Sequence, residues 1–289
     1  MHIIIYRYKM YTIFMIKKWK GVEKWQCFMG LKNRINHLWM DGEIEEKELW
    51  SSVAVVGSRR ITQYGRQVVE KLVNQLVSNQ LTIVSGFMYG TDQAVHRAVI
   101  EAGGKTVAVL GWGIRYDKFD EEDKKLWKKI VDTGGAVISE WEYQTPAFWT
   151  FPARDRIMAA LATDIYVVEA AVKSGALITA QMANDLGKPV WAVPGSVFSS
   201  VSAGTNRLIS DGLAKMWLPS QQMSLNLEKV IQSNSNTIDI YTLLQNDTLT
   251  ADEITKKMGK SIDMVLQELM LLILQGKVAE REGKYCIIT

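Results

Sequence analysis

The chain has 289 residues, with 34 Lys and Arg against 31 Asp and Glu, a formal net charge of +3, and 47% hydrophobic residues. Disorder requires low hydrophobicity together with a large net charge, so a globular protein is expected, and the length favours two domains over a single core. The charge is uneven: residues 1–40 hold eight Lys and Arg against Glu23 alone, a basic, aromatic-rich start that suits a nucleic acid, a membrane surface or a poorly ordered extension, the last being our reading.

Residues 3–16 are apolar but interrupted by Arg7 and Lys9, short of the ~20 residues a membrane helix needs, and no small-residue cleavage site follows. Neither a span nor export is expected. From Ser52 the pattern changes to short β-branched runs separated by amphipathic segments. Strands are predicted at 53–56, 81–84, 106–110, 136–139, 165–168 and 190–193, and helices at 64–78, 91–102, 121–132, 154–161 and 176–186. Such alternation implies an α/β fold, a doubly wound parallel sheet whose ligands bind beyond the carboxyl ends of the strands. Residues 219–236 are polar and suit a linker. Beyond them come a short helix at 237–245, a capping box at Thr250-Ala251-Asp252-Glu253, a third helix from Ser261 to Leu274 and a hairpin at 276–288, together a small winged-helix domain.

The strand ends carry the chemistry. Gly57-Ser58-Arg59 follows the first strand: a glycine admits an anion to the backbone and the arginine offers a bidentate phosphate contact. Ser85-Gly86 opens a second glycine-flanked loop ending at Thr91-Asp92, with His96 one turn further on and read, with Asp92, as structural. Phe151, Arg154 and Arg156 combine a ring that stacks a base with guanidinium groups that hold phosphates. Ser174, Gly175 and Thr179, then Gly204-Thr205-Asn206, complete a rim of glycine, hydroxyl and amide with no obvious general base. Cys27 and Cys286 lie far apart without CxxC spacing and the three histidines are scattered, so no disulfide framework, metal site or histidine-based triad is expected. A reducing, cytoplasmic setting fits.

In this order the loops resemble the DNA-processing protein A (DprA, also called Smf) family of bacterial recombination mediators, from Leu38-Trp39-Met40-Asp41-Gly42 to Trp217, with the terminal domain also matching. The resemblance implies an extended Rossmann-like domain at 37–218, preceded by a basic extension at 1–36. It also implies single-stranded DNA binding, a homodimer and loading of the recombinase RecA during natural transformation, without a cofactor, metal or catalytic residue. By position, Gly57, Ser58, Arg59, Ser85 and Gly86 would hold phosphate. Phe151, Arg154 and Arg156 would form a basic and aromatic wall, opposite Ser174, Gly175, Thr179 and Asn206. Three positions depart from the family: Tyr89 for arginine, Ala153 for a basic residue and Asp155 for asparagine, which weakens phosphate binding.

Two rival readings are distinguishable. Similar nucleoside-monophosphate phosphoribohydrolases carry a P-G-G-x-G-T-x-x-E loop whose glutamate aids catalysis, whereas Ser174-Gly175-Ala176-Leu177 stands here without it. A sequence-reading transcription factor would need a basic recognition helix, and residues 261–275 contain no Lys or Arg. The terminal domain therefore reads as a protein-contact or regulatory module.

Overall fold

The structure, a computed structural model, describes residues 16–219 apart from 21, 23–25, 29–30 and 32–34, and residues 240–287 apart from 245–246, 260–261, 275–276 and 282. The chain divides into two compact units, Met1–Gln221 and Gln222–Thr289. The expected linker at 219–236 lies almost wholly outside the described residues. Among them, no helix is long and apolar enough to cross a membrane.

The first unit is built on β1 (Lys17–Lys20), β2 (His37–Gly42), β3 (Ser52–Val56), β4 (Thr82–Ser85), β5 (Thr106–Val109), β6 (Ala136–Ser139), β7 (Asp164–Val167), β8 (Val190–Ala192) and β9 (Lys215–Met216). Between them run α1 (Glu46–Leu49), α2 (Gln63–Ser78), α3 (Thr91–Glu101), α4 (Glu121–Asp132), α5 (Thr150–Leu161), α6 (Gly175–Asp185) and α7 (Ala203–Ser210). The sheet order is β1-β2-β6-β5-β4-β3-β7-β8-β9. Strands β3 to β9 pair in parallel, and β1 and β2 close the β6 edge in antiparallel fashion. This is the parallel sheet that the alternation implies, in the extended Rossmann-like form that the family resemblance implies.

Both faces are covered, which is why the strands read as apolar runs rather than alternating ones. Along β5, Val107 and Val109 enter one core with residues of α5 and α6, while Ala108 beside them enters another with Leu126, Trp127 and Ile130 of α4. Helix α2 buries Val68, Val69, Leu72, Val73 and Leu76, each stabilising the fold by about 1.5–3 kcal/mol. From β3 the chain steps outward to β6, and α5 then carries it back to the other side of β3. The winding thus reverses between β3 and β7.

Two expectations need correction. The described part of the basic segment 1–36, read as an extension, contributes to the sheet: β1 pairs with β2, and Val22, Phe28 and Ile35 are buried in the core shared with α5. Three of the four β1 residues are lysines, as suits an edge strand that must resist further pairing, and that charge hid it. Helix α5 begins at Thr150 rather than Arg154, because Pro152 lies in the first turn, where a missing N–H costs nothing.

The second unit has α8 (Ile240–Leu244), α9 (Ala251–Met258) and α10 (Ile262–Leu274), followed by the antiparallel pair β10 (Val278–Arg281) and β11 (Lys284–Ile287). At the start of α9, Thr250 Oγ1 accepts from Glu253 N–H while the Glu253 carboxylate accepts from Thr250 N–H, the predicted capping box. Ser261, expected to cap α10, lies outside the described residues. Ile240, Ile254, Val265, Leu269 and Val278 form this unit's own core.

Candidate nucleic-acid interface

The β3–α2 loop is fixed before any ligand arrives. Thr62 caps α2 by accepting Gly65 N–H at 3.1 Å, and its own N–H and hydroxyl donate to the buried Glu169 carboxylate at 2.9 and 2.6 Å. One turn earlier, the Ser58 carbonyl accepts from both Thr91 N–H and Thr91 Oγ1, each at 3.0 Å. A Cβ on Gly57 would lie 2.6 Å from Thr91 Oγ1, so glycine is required for this approach. Held at both ends, the loop projects exposed Arg59 outward, and its guanidinium lies over the Phe151 ring at 4.9 Å from the centroid. That stack pre-orients the charge. Tyr89 is 58% exposed, and the residue after it, Gly90, presses against the Ser58 and Arg59 carbonyls.

Beneath this surface lies a buried ionic cluster. Arg154 is only 5% exposed; its Nη1 donates to the Val109 carbonyl at 3.1 Å, and it pairs with Asp155 at 3.0 Å and Asp92 at 3.7 Å. A Cβ on Gly86 would overlap the same guanidinium. Burial pushes the Asp155 carboxyl up to about 6 against the pull of Arg154, and burial raises Asp92 as well. His96 donates from Nε2 to the Gly86 carbonyl at 2.6 Å, and its Nδ1 lies 2.7 Å from Thr106 Oγ1; burial holds it down to about 4. Asp92 and His96 are both buried in the packing under the loop.

The predicted site residues divide accordingly. Gly57, Ser58, Arg59 and Phe151 come together at the end of β3. Ser85 is wholly buried, donating from Oγ to the Val55 carbonyl at 2.7 Å, and Arg154 and Thr179 are enclosed too. Ser85 and Gly86, expected to hold phosphate, and Arg154, expected in the binding wall, thus pack beneath the loop with protein partners, and Thr179, expected to line the opposite side, is buried in α6. Arg156 is partly buried and paired with Glu140. Ser174 caps α6, accepting Ala176 N–H at 3.3 Å, and Gly175 is exposed with open space around it. Asn206 clasps Gly195, accepting its N–H and donating to its carbonyl, both at 3.0 Å.

Sequence reasoning gave no role to a cleft of ≈ 460 Å³ lined by Thr62, Tyr64, Glu169, Gly195, Ser196 and Ser199 among others. It opens where the winding reverses, the usual place for a ligand in this architecture. Tyr64 donates to the Pro194 carbonyl at 2.7 Å across it. A carboxylate placed directly after β7 was the available signal.

A model of the family described as DNA recombination-mediator protein A matches residues 26–228. The chain belongs to that family. DprA of Streptococcus pneumoniae is 40% identical over 177 residues, 61% of each chain, and Smf of Escherichia coli is 28% identical over 265 residues, 86% of this chain and 70% of that one. The match thus spans less than two thirds of the pneumococcal DprA. The fold agrees with a solved structure of Helicobacter pylori DprA, a study of that protein's single-stranded DNA binding mode, at a TM-score of 0.63 and 26% identity over 76% of this chain and 95% of that one. Within the DprA family frame, the departures read from sequence acquire positions: Asp155 is buried against Arg154, and Tyr89 stands exposed beside the Arg59 loop.

Proposed function

We propose that the carboxyl rim binds unpaired DNA without chemical turnover, as a DprA-type mediator that passes the strand to a RecA-type recombinase. The observation that carries this reading is the exposed Arg59 guanidinium stacked on Phe151. It offers a phosphate partner and an aromatic support at one point, above a scaffold in which Arg154 and Arg156 already have carboxylate partners. The open start of α6 at Gly175 adds backbone N–H groups of the kind that receive phosphate. Tyr89 supplies a face for a base where family members carry charge. Homodimer formation, RecA loading and a role in natural transformation belong to the same reading, with the α8–α10 unit as a winged helix that contacts protein.

The test is binding of a labelled oligonucleotide across a salt series. Single strands should be preferred to duplex at low salt, and Arg59→Ala should abolish most of the preference. Equal affinity for both forms in the wild-type protein would sink the proposal.

A further inference from the structure

The β6–α5 loop, 140–149, places aromatic rings in solvent at the head of α5. Phe148 is 99% exposed, Tyr143 71% and Trp149 57%, the last leaning edge-on against Trp141 at 5.7 Å. Phe148 and Trp149 directly precede the turn of α5 that carries Phe151 beneath Arg59. The rings are interleaved with Gln144, Thr145, Pro146 and Ala147, with no large aliphatic side chain among them, unlike a protein-docking groove. Both carboxylates of the loop are neutralised, Glu140 by Arg156 and Glu142 by Arg115, so the lip does not repel a polyanion.

We infer that Phe148 and Trp149 form a base-stacking lip that extends the DNA track from Arg59 and Phe151 across the end of β6. This rests on the proposed binding of unpaired DNA and deepens it. Stacking is sequence-tolerant, because every base has a flat face, and it releases no counterions. The chain thereby grips bases where the loss of positive charge at Tyr89, Ala153 and Asp155 loosens its grip on phosphates.

The experiment compares a labelled oligothymidylate with an abasic oligonucleotide of equal length, using the full chain, Phe148→Ala, Phe148→Ala/Trp149→Ala, and Phe148→Tyr/Trp149→Tyr. Each ring is expected to contribute roughly tenfold to thymidylate affinity. The double alanine variant should lose it with the salt slope unchanged and abasic binding intact, and the tyrosine pair should restore it. Phe148 is fully solvated, so its single variant reads binding without a folding effect. Unchanged thymidylate affinity in both alanine variants, while Arg59→Ala still weakens binding, overturns the lip and spares the wider proposal. Absence of binding by the wild-type chain overturns both. A shift in self-association with no change in the thymidylate-to-abasic ratio assigns the rings to a protein contact and overturns the lip.

Discussion

Asp155 Oδ1 lies 3.0 Å from Arg154 Nε, with both side chains almost wholly buried beneath the loop that presents Arg59. The family's asparagine is replaced here by a group that sets a second carboxylate beside Asp92 and within electrostatic reach of Arg59. Asp155→Asn should therefore raise affinity for unpaired DNA severalfold at pH 8. At pH 5, where the wild-type carboxyl is already largely protonated, the gain should shrink. Fluorescence anisotropy at the two pH values checks this, and equal gains at both would contradict it.

Stability against pH separates two buried groups. The folded pKa of His96, lowered to about 4 from 6.5, leaves the unfolded chain the better proton acceptor between those values. Its penalty is absent above pH 6.5 and grows to at most about 3 kcal/mol as pH falls through 4. Asp155 has the opposite sign: raised from 3.8 to about 6, it contributes stability that is full below pH 3.8 and lost as pH rises through 6. Denaturant unfolding from pH 4 to 8 should show a flatter acid decline in His96→Gln. The advantage of Asp155→Asn over wild type should widen toward neutral pH.

Gly86 has no room for a methyl group. Gly86→Ala should destabilise the protein by about 2–3 kcal/mol or more, since the obstructing atoms belong to an ion-paired guanidinium anchored on Val109 rather than to a free side-chain end. A thermal melt within a degree of wild type would show that Arg154 can move aside without loss.

Arg59 should behave as a phosphate ligand. Replacing it with alanine should lower affinity about tenfold and reduce the slope of log K against log salt by about 0.7, the value for one single-strand phosphate contact. Arg59→Lys should keep the slope but lose the stack on Phe151. A salt titration of all three proteins distinguishes charge from stacking.

The sequence by itself determined the alternating core of the sheet, because β-branched runs buried on both faces have few other uses, and the ordered strand-end motifs pointed to the family. Two of its helix starts were legible from local signals: Thr62 at the head of α2 and the Thr250–Glu253 box each complete bonds within one turn. Strands β1 and β9 escaped because they are edge strands, one lysine-rich and the other two residues long, and earn their place from a neighbour rather than from a pattern of their own; β2 escaped although it has six residues. Only the tertiary structure decided which arginines face solvent. Arg154 and Arg156 read in sequence as equals of Arg59, but the carboxylates of Asp92 and Glu140 reach them from other strand ends, 62 and 16 residues away. A guanidinium's availability is set by who sits beside it in space, and spacing along a chain does not encode that.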